Sequence, residues 1–496
     1  MIGIFRNCMI ALFILLLSQY SFSKKLEDYE WKEIVEGKGL DHNFGSKEAI
    51  RIAKNVILYQ ADIGGWPKNT DMHLKLSSDK KREIEREYRD CSRCTIDNKA
   101  MKLELEYLSK VYRSVSDEDL KSDIKESFIN GVKYLLKMQY DNGGFPQRYP
   151  NNGGYSRHIT FNDHAMVNAL QILKHVSQQD DTYSITVSDT LAEQAGIAFE
   201  KGIQNILDTQ YIQNGLLTVW CAQHDKDTLA PAKARSYELP SLSGGESKGI
   251  ITLLMGIDKP SNEVKNAINY ASQWYAENVI VDKKHERFIN SNGKEDKRLV
   301  ASPGSRDLWA RFYTLDDNRP FFADRDSNIY FDYSEMPYER RNGYSWINDN
   351  GLEVEERFME WYVDHTQVID IAAEEADNRK NVDIDNDHSG YTGNGFVNFS
   401  DRSFIEFLNV EGGEGGTSTI SLRWALGKDK SRKGKLIVNG KSTNIKVSPT
   451  GDWTTWRMQD FQVQLKPGKT NTLRIEATGN DLGNLDSILV EVPEGR

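Results

Sequence analysis

A sequence unit recurs three times in the first half of the chain, and it limits the possible folds more than any other feature. Its first copy joins residues 56–60 (VILYQ) to 64–67 (GGWP), and its second joins 135–139 (LLKMQ) to 143–146 (GGFP). A weaker third copy occupies residues 206–220, and the three glutamines are 79 and 71 residues apart. Because Gly-Gly and Pro end a helix, each copy predicts a helix that stops at a sharp turn.

Stretches with apolar residues at three- and four-residue spacing lie between these turns, at 96–113, 164–175 and 191–207. This spacing is typical of amphipathic helices. A repeat that holds two helices and a glycine-rich loop predicts helical hairpins arranged side by side. We expect them to close into an all-α (α/α) toroid with the loops at one mouth. The loop aromatics, Trp66 and Phe145, either line a carbohydrate groove there or only fasten each loop to its helix.

The sequence pattern changes near residue 355, where helical periodicity gives way to short alternating runs. Four such runs lie at 418–424, 434–440, 471–476 and 486–491, and turn signals such as Asn439-Gly440 separate them. Alternation with regular turns is typical of strands in a β-sandwich. We therefore expect a toroid domain over residues 24–355 and an all-β jelly-roll sandwich over residues 366–496.

The first 23 residues have the order of features found in a secretory signal peptide. A single cation, Arg6, precedes an apolar run at 9–17, and the small residues Ser21 and Ser23 follow. The run is shorter than the ~20 residues that span a bilayer. We expect cleavage near Ser23 and a secreted or periplasmic protein without a membrane partner; the alternative is a buried apolar helix.

Acidic residues outnumber basic ones, 74 to 63, and the net charge is −11. This balance gives no general attraction for nucleic acids, so none is expected as a partner. An acidic ligand would need a local group of cations, and Arg306, Arg311 and Arg325 form one such group. Because guanidinium groups pair with carboxylates through two parallel hydrogen bonds, the group predicts carboxylate binding. Ordinary ion pairs are the alternative.

Two acid–amide pairs stand where helices are expected to begin. Asp97 precedes Asn98, and Asp163 follows Asn162. Such pairs either cap the helices through backbone N–H groups or supply the hard oxygen ligands that Ca²⁺ prefers.

Three cysteines remain after the expected cleavage: Cys91, Cys94 and Cys221. Together with His224 they have the ligand types of a zinc site. Outside the cytoplasm, a disulfide within the first pair or between that pair and Cys221 is the alternative. A purely structural role is also open.

Seven collinear blocks over roughly residues 40–350 resemble the pectate lyases of polysaccharide lyase family 10. They are GGWPKN (64–69), TIDN (95–98), GGFPQRYP (143–150), ITFNDHAM (159–166), WCAQHD (220–225), ARSYELPSLSGGES (234–247) and NRPFFADRD (318–326). The resemblance implies a toroid that cleaves the polygalacturonate of pectin by Ca²⁺-assisted β-elimination. The expected products are 4,5-unsaturated oligogalacturonates.

The resemblance also implies roles for single residues. Arg235 matches the arginine proposed as the Brønsted base, while Asp97 and Asp163 match aspartates associated with Ca²⁺ and substrate. Asn98 accompanies Asp97 as it does in the family, and two arginines of the cation group match residues that hold substrate carboxylates, namely Arg311 and Arg325. Arg306 and Tyr237 are further candidates for substrate contact.

The pKa of an arginine lies above about 12, so arginine is a poor base unless its neutral form becomes accessible. An alkaline pH optimum would follow. If Arg235 stays charged, another base such as Tyr237 or hydroxide removes the proton.

The C-terminal part resembles a carbohydrate-binding module of family 35 or the related family 6. The matching elements are AEEA (373–376), DNDHSGYTGNGFV (385–397) and GNLDSI (483–488). The resemblance implies a structural Ca²⁺ near Glu374 and Asp486, and sugar contacts from loops that carry Tyr391, Trp453 and Asn484. A sandwich whose aromatics serve only the core is the alternative.

These observations lead us to expect a secreted, monomeric pectate lyase whose module holds it on plant cell-wall polysaccharide. Two alternatives remain open. One is a non-catalytic pectin-binding protein, and the other is a glycoside hydrolase that uses Asp97 and Asp163 as acid and base.

Overall fold

The computed structural model of the chain describes residues 24–150, 153–365, 368–479 and 481–492. The expected signal sequence, residues 1–23, lies outside the described residues. The chain divides into two compact units between Glu356 and Arg357. Within the described part, no helix is both long enough and apolar enough to cross a membrane.

Helices of the first unit pack in two rows. The helices are α1 Trp31–Val35, α2 Lys47–Tyr59, α3 Ser78–Glu87, α4 Lys102–Ser114, α5 Glu118–Met138, α6 Ala165–Gln178, α7 Asp189–Thr209, α8 Ser247–Met255, α9 Asn262–Glu277, α10 Tyr338–Gly343 and, across the division, α11 Asn350–His365. Helices α2, α5, α7 and α9 contact one another in sequence, and α4, α6 and α8 do the same beside them. The predicted pairs of helices are therefore present.

The repeated glutamines hold the first row together. Each side-chain amide donates one hydrogen bond to a carbonyl of its own loop and one to a carbonyl in the next helix of the row, at 2.8–3.0 Å. The groups are Gln60 with Gly64 and Ser127, Gln139 with Gly143 and Ala198, and Gln210 with Thr218 and Ala267. The repeat in the sequence is thus a repeat of helix-to-helix connections.

The loop aromatics fasten the loops and do not line a groove. Trp66 and Phe145 are both completely buried. The Trp66 indole N–H donates to the carbonyl of Val56 in α2 at 2.8 Å, and Trp220 does the same to Ile206 at 2.7 Å. The expectation that these rings contact carbohydrate at the mouth is wrong.

The prediction of an all-α first unit is also wrong. Its described part contains six two-stranded antiparallel sheets, which pair β1 with β4, β2 with β3, β5 with β9, β6 with β7, β8 with β12 and β10 with β11. The strands are β1 Ile159–Thr160, β2 Ile212–Gln213, β3 Leu216–Leu217, β4 Gln223–His224, β5 Leu242–Ser243, β6 Lys283–Ile289, β7 Glu295–Ala301, β8 Trp309–Ala310, β9 Phe312–Tyr313, β10 Phe322–Ala323, β11 Ile329–Tyr330 and β12 Ile347–Asn348. Strands of two residues carry no readable alternation, whereas the β6–β7 hairpin has the turn signal Asn292-Gly293.

The described residues of the second unit form nine strands: β13 Val368–Ala372, β14 Asn378–Asp385, β15 Phe396–Val410, β16 Gly416–Ala425, β17 Arg432–Val438, β18 Lys441–Val447, β19 Arg457–Leu465, β20 Asn471–Ala477 and β21 Asn484–Glu491. All pairings are antiparallel, and they join into one sheet in the order β18-β17-β20-β15-β21-β16-β19, with β14 on β15 and β13 on β21. The expected four strands are present, but the predicted sandwich of separate sheets is wrong because hydrogen bonds run through the whole set. Its core includes Phe399, Leu422 and Ile488.

Candidate active site

Three carboxylates stand at the beginnings of the three helices in the second row. Asp97 opens a short turn that leads into α4, Asp163 lies in the turn directly before α6, and Glu246 is the N-cap of α8. Successive helices of one row bring these turns to the same end of the unit. Helix N-termini carry partial positive charge, which stabilises carboxylates placed there.

Backbone conformation in the first two turns is unusual. Asn98, Lys99, Asp163 and His164 all have positive φ angles, between +50° and +64°. A left-handed conformation costs non-glycine residues of the order of 1 kcal/mol or more, and such residues concentrate at functional sites. The helical pattern therefore breaks before Lys102, where α4 begins, although the sequence predicted a helix from residue 96.

Asp163, Glu246 and Arg311 form one electrostatic group. The Arg311 guanidinium donates from Nη2 to Glu246 Oε1 at 2.6 Å and to Asn162 Oδ1 at 3.1 Å, and it lies 3.8 Å from Asp163 Oδ1. Burial raises the pKa of Asp163, the negative charges of Glu246 and Asp97 raise it further, and Arg311 opposes them. The carboxylates of Asp163 and Glu246 thus share one neighbouring guanidinium, that of Arg311.

Asp97 is almost completely buried, at 3% exposure. Its carboxylate forms an ion pair with the Lys68 ammonium, and the backbone N–H of Asn98 donates to its Oδ1 at 3.0 Å. Asn98 in turn donates from its side chain to Asn69 Oδ1 at 3.0 Å. Asp97 is thus held by Lys68, from the loop that carries the first sequence repeat, and by its sequence neighbours Thr95 and Asn98.

Arg235 is paired with a buried carboxylate. Its Nε donates to Glu238 Oε2 at 2.7 Å, and its Nη2 pairs with the other oxygen. These hydrogen bonds raise the pKa of Arg235 further above its usual range. The Tyr344 hydroxyl donates to the same carboxylate at 2.8 Å.

An aromatic pair connects the arginines. The rings of Tyr237 and Tyr344 meet edge to face with centroids 5.2 Å apart. The guanidinium carbons of Arg235 and Arg311 lie 5.6 and 4.8 Å from the Tyr344 centroid. Arg235, Arg325 and Arg340 lie 5.1, 5.8 and 4.5 Å from that of Tyr237. Cations at these distances are attracted to the ring faces.

Two of the predicted arginines already have acidic partners at the surface. Arg325 pairs with Glu339 at 2.8 Å, and Arg306 pairs with Asp349 at 2.9 Å. Their side chains are 62% and 69% exposed. Arg325 lies near the same Tyr237 ring as Arg235. The ion pair of Arg306 with Asp349 involves none of these residues.

A cleft of about 700 Å³ opens at two of these carboxylates, Asp163 and Glu246. Its lining includes Asn98, Lys99, Asp163, Glu246 and Arg311. The described cleft lining does not include Arg235, Arg306, Arg325 or Tyr237. The structure therefore brings Asn98, Asp163 and Arg311 together in the cleft, with Asp97 buried behind them and the other candidates to the side.

The carboxylates fit a calcium ion as partial ligands. Across the described residues, no group of three or more His, Cys, Asp or Glu side chains forms a complete metal cage. Two carboxylates, Asp97 and Asp163, nevertheless face one another closely enough for their charges to interact. Ca²⁺ takes six to eight oxygen ligands and accepts them from water and ligand as well as protein. Asp97 and Asp163 would therefore supply only part of the coordination of such an ion.

In the second unit, Glu374 and Asp486 bind the same loop. Thr392 donates from its backbone N–H and hydroxyl to Asp486 at 2.8 and 3.0 Å, and the Asn394 backbone N–H donates to Glu374 Oε1 at 3.0 Å. Arg423 forms an ion pair with Asp486. The second oxygen of Glu374 is buried and has no hydrogen-bond partner within the described residues.

The predicted sugar contacts of the second unit differ in their exposure. Tyr391 and Trp453 are both half-buried. His388 stacks on Trp453 with the ring planes 12° apart and on Phe396 with the planes 4° apart. Asn484 begins β21 and is only 2% exposed. Tyr391 and Trp453 are thus partly exposed, whereas Asn484 lies in the strand and not on a loop.

The comparisons with known proteins agree on the first unit. A model of the pectic acid lyase family matches residues 60–354. A solved family 10 polysaccharide lyase from Cellvibrio cellulosa is 31% identical, with a TM-score of 0.53 over 68% of this chain and 98% of that one. A substituted form of a family 10 lyase from the same organism, in complex with trigalacturonic acid, is 32% identical, with a TM-score of 0.54 over 66% of this chain and 98% of that one.

The chain belongs to polysaccharide lyase family 10. The lyase continues into a second known module, because a model of carbohydrate-binding module family 6 matches residues 372–491. Over 111 residues the lyase is 32% identical to the endo-1,4-beta-xylanase B of Cellvibrio japonicus. That match covers 22% of the lyase and 18% of the xylanase, so the lyase spans less than a fifth of this curated relative.

Sequence reasoning missed several residues of the site in this family 10 lyase. Glu246 and Lys68 lie within the seven collinear blocks without an assigned role, while Tyr344 and Arg340 lie outside those blocks. The repeat offered a signal for Glu246, because it follows Gln210 by 36 residues and Asp97 follows Gln60 by 37.

The cysteine alternatives are resolved by the structure. Cys91 and Cys94 form a disulfide, and Cys221 is a buried free thiol. A zinc site that uses all three cysteines is excluded because two of them are oxidised.

Proposed function

We propose that this lyase is a secreted pectate lyase that cleaves polygalacturonate by β-elimination with the help of Ca²⁺. The observation that carries the proposal is the cleft in which Asp163, Glu246 and Arg311 meet in front of Asp97. Its group of carboxylates suits a divalent cation, and its arginine suits a substrate carboxylate. The trigalacturonic acid bound by a solved relative supports a galacturonate chain as the ligand.

β-Elimination breaks the C4–O bond of a uronate after the C5 proton is removed. The C5 proton is α to the carboxylate, so negative charge develops on that carboxylate in the transition state. Arg311 is held by Glu246 and Asn162 with its charge at the cleft. A fixed cation at the developing charge lowers the barrier because it needs no reorganisation. The C4 oxygen leaves as a hydroxyl after it gains a proton, and a C4–C5 double bond remains.

Asp97 and Asp163 would hold the calcium ion. The ion supplies Lewis-acid stabilisation of the substrate carboxylate when it is bound. Glu246 does a different task, because its hydrogen bond to Arg311 fixes the guanidinium. Lys68 balances the charge of Asp97.

A substitution of Glu238, the partner of Arg235, tests the role of Arg235. While the two are paired, Arg235 stays charged and can stabilise substrate negative charge but cannot accept a proton. It can act as the base only after substrate binding separates the pair. Glu238→Gln removes the charge that raises the pKa of Arg235. If Arg235 is the base, the rising limb of the pH–rate profile moves to lower pH; if it acts only as a cation, the limb stays and kcat falls.

The second unit, in this proposal, retains the enzyme on cell-wall polysaccharide. Tyr391 and Trp453 would stack on sugar rings, with Asn484 beside them. Glu374 and Asp486 would hold a structural Ca²⁺. The unpartnered buried oxygen of Glu374 supports the cation. We also propose that the protein acts as a monomer.

The proposed function is tested with purified protein, polygalacturonate, mildly alkaline pH and near-ultraviolet absorbance. The absorbance should rise with Ca²⁺ and stop with excess chelator, because only elimination creates a double bond conjugated with the carboxylate. Asp163→Asn should lower the rate strongly, and the exposed Asp227→Asn is the matched control. New reducing ends without absorbance would indicate a hydrolase. Binding without either signal would indicate a pectin-binding protein.

A further inference from the structure

Lys99 is a cation in the cleft that the proposed chemistry does not use. Its φ angle is +64°, a conformation that favours glycine, yet the chain has a lysine there. The side chain is half-buried and lines the cleft next to Asn98. Its ammonium has no hydrogen bond or ion pair within the described part of the chain. A strained, half-buried cation without a partner is suited to an anionic ligand.

The wall beside Lys99 is built by residues that precede the family match. Helix α1 contributes Trp31 and Lys32 to the cleft lining, whereas the match to the pectic acid lyase family begins at residue 60. Two contacts with α4 hold α1 in place. The Trp31 indole N–H donates to Glu104 Oε1 at 2.9 Å, and the Lys110 ammonium donates to the Val35 carbonyl at 2.8 Å.

The Lys32 ammonium has only a weak ion pair. Its ion pair is with Glu36, one turn further along, at a distance of 3.6 Å, and its side chain is 55% exposed. An exposed pair of this kind contributes little and exchanges readily. Glu30 and Asp71 line the same cleft, so the attraction for an anion depends on Lys99, which is bound to neither of them.

We propose that Lys99 and Lys32 form a subsite that binds the carboxylate of a uronate residue outside the reacting centre. The inference rests on the proposed function, because a polyuronate chain is the ligand that places carboxylates at regular intervals along one cleft. Arg311 holds the reacting residue, and the lysines hold another residue of the same chain. The N-terminal segment thus extends the substrate site beyond the residues that the family model covers.

The test compares Lys99→Gln with Lys99→Arg and with Lys259→Gln, a change at an exposed lysine between α8 and α9. Loss of a charge-assisted hydrogen bond is expected to raise KM for polygalacturonate about tenfold in Lys99→Gln. The value of kcat should stay unchanged, and Lys99→Arg should retain most of the affinity. Lys32→Gln should raise KM less. The increase in KM with salt should be less steep in Lys99→Gln than in the wild type.

Two results would overturn the subsite. One is a KM for Lys99→Gln equal to that of the wild type. The other is a loss of kcat at unchanged KM, which would put Lys99 in the reacting centre. Equal melting temperatures for the variants exclude misfolding. Calorimetric binding of trigalacturonate provides a second measurement. If the wild type makes no unsaturated product, the proposed function fails, yet weaker trigalacturonate binding in Lys99→Gln still supports the subsite.

Discussion

The buried carboxyl group of Glu104 makes the stability of the protein dependent on pH. It lies in α4 with 2% exposure, one oxygen accepts from Trp31, and the other is buried without a partner within the described residues. Burial raises the pKa of Glu104 from 4.5 to about 7, and the hydrogen bond from Trp31 opposes the rise only in part. The folded protein therefore binds this proton more tightly than the unfolded chain does.

The sign and size of the effect follow from that difference. Between pH 4.5 and about 7 the folded state holds more protons at Glu104, so the free energy of unfolding falls as pH rises. At 1.36 kcal/mol per pH unit, the loss is about 3 kcal/mol and is complete above pH 7. Glu104→Gln removes the ionisation and keeps an oxygen that can accept from Trp31. Relative to the wild type, the variant should gain about 3 kcal/mol between pH 4.5 and pH 8.

Urea denaturation at several pH values measures this change. The substituted amide can change the free energy of unfolding by an amount that does not depend on pH. This amount cancels, because the difference between the variant and the wild type is compared from one pH value to another. Glu85→Gln, at an exposed position of α3, is the control and should show no such trend. A difference between Glu104→Gln and the wild type that stays constant from pH 4.5 to pH 8 would refute the reasoning.

Three further predictions follow. Arg235→Ala should abolish the absorbance increase on polygalacturonate while calorimetry still detects binding; unchanged turnover would remove Arg235 from the reaction. Gly143→Ala puts a Cβ 2.0 Å from the Lys201 carbonyl oxygen and should lower the free energy of unfolding by more than about 3 kcal/mol in a thermal unfolding experiment. Gly215→Ala, with a similar φ and open space around the Cβ, should lower it by about 1 kcal/mol. Equal losses in the two variants would contradict the packing argument. Alkylation should label none of the three cysteines of the mature native protein, one after denaturation and three after reduction as well.

Much of the helical framework could be predicted because it repeats. Gln60, Gln139 and Gln210 mark equivalent helix ends, and each makes the same two kinds of hydrogen bond. The sequence also marks the aromatic residue after each of the first two glycine pairs. Its burial against the helix, however, is decided by tertiary packing and could not be predicted from the repeat. The short strands escaped detection because two residues cannot show a period.

Only part of the candidate site could be predicted from the sequence. Asp97 and Asp163 were found because an amide stands beside each of them, and the structure brings them to one end of the helix row. Glu246 has no such neighbour, and its contribution depends on contact with Arg311, which is 65 residues away in the sequence. Arg306 showed the reverse problem, because an arginine in a basic segment looks the same in sequence whether it faces a cleft or pairs at the surface.

The measurement that tests the central claim most directly is cleavage of polygalacturonate in water enriched in oxygen-18, followed by mass spectrometry of the products. Elimination breaks the C4–O bond without adding water. The account therefore predicts that the products released at early times carry no label at either new end beyond exchange in a control without enzyme, and that one end is unsaturated. Products that carry one labelled oxygen per cleavage and no double bond would contradict it.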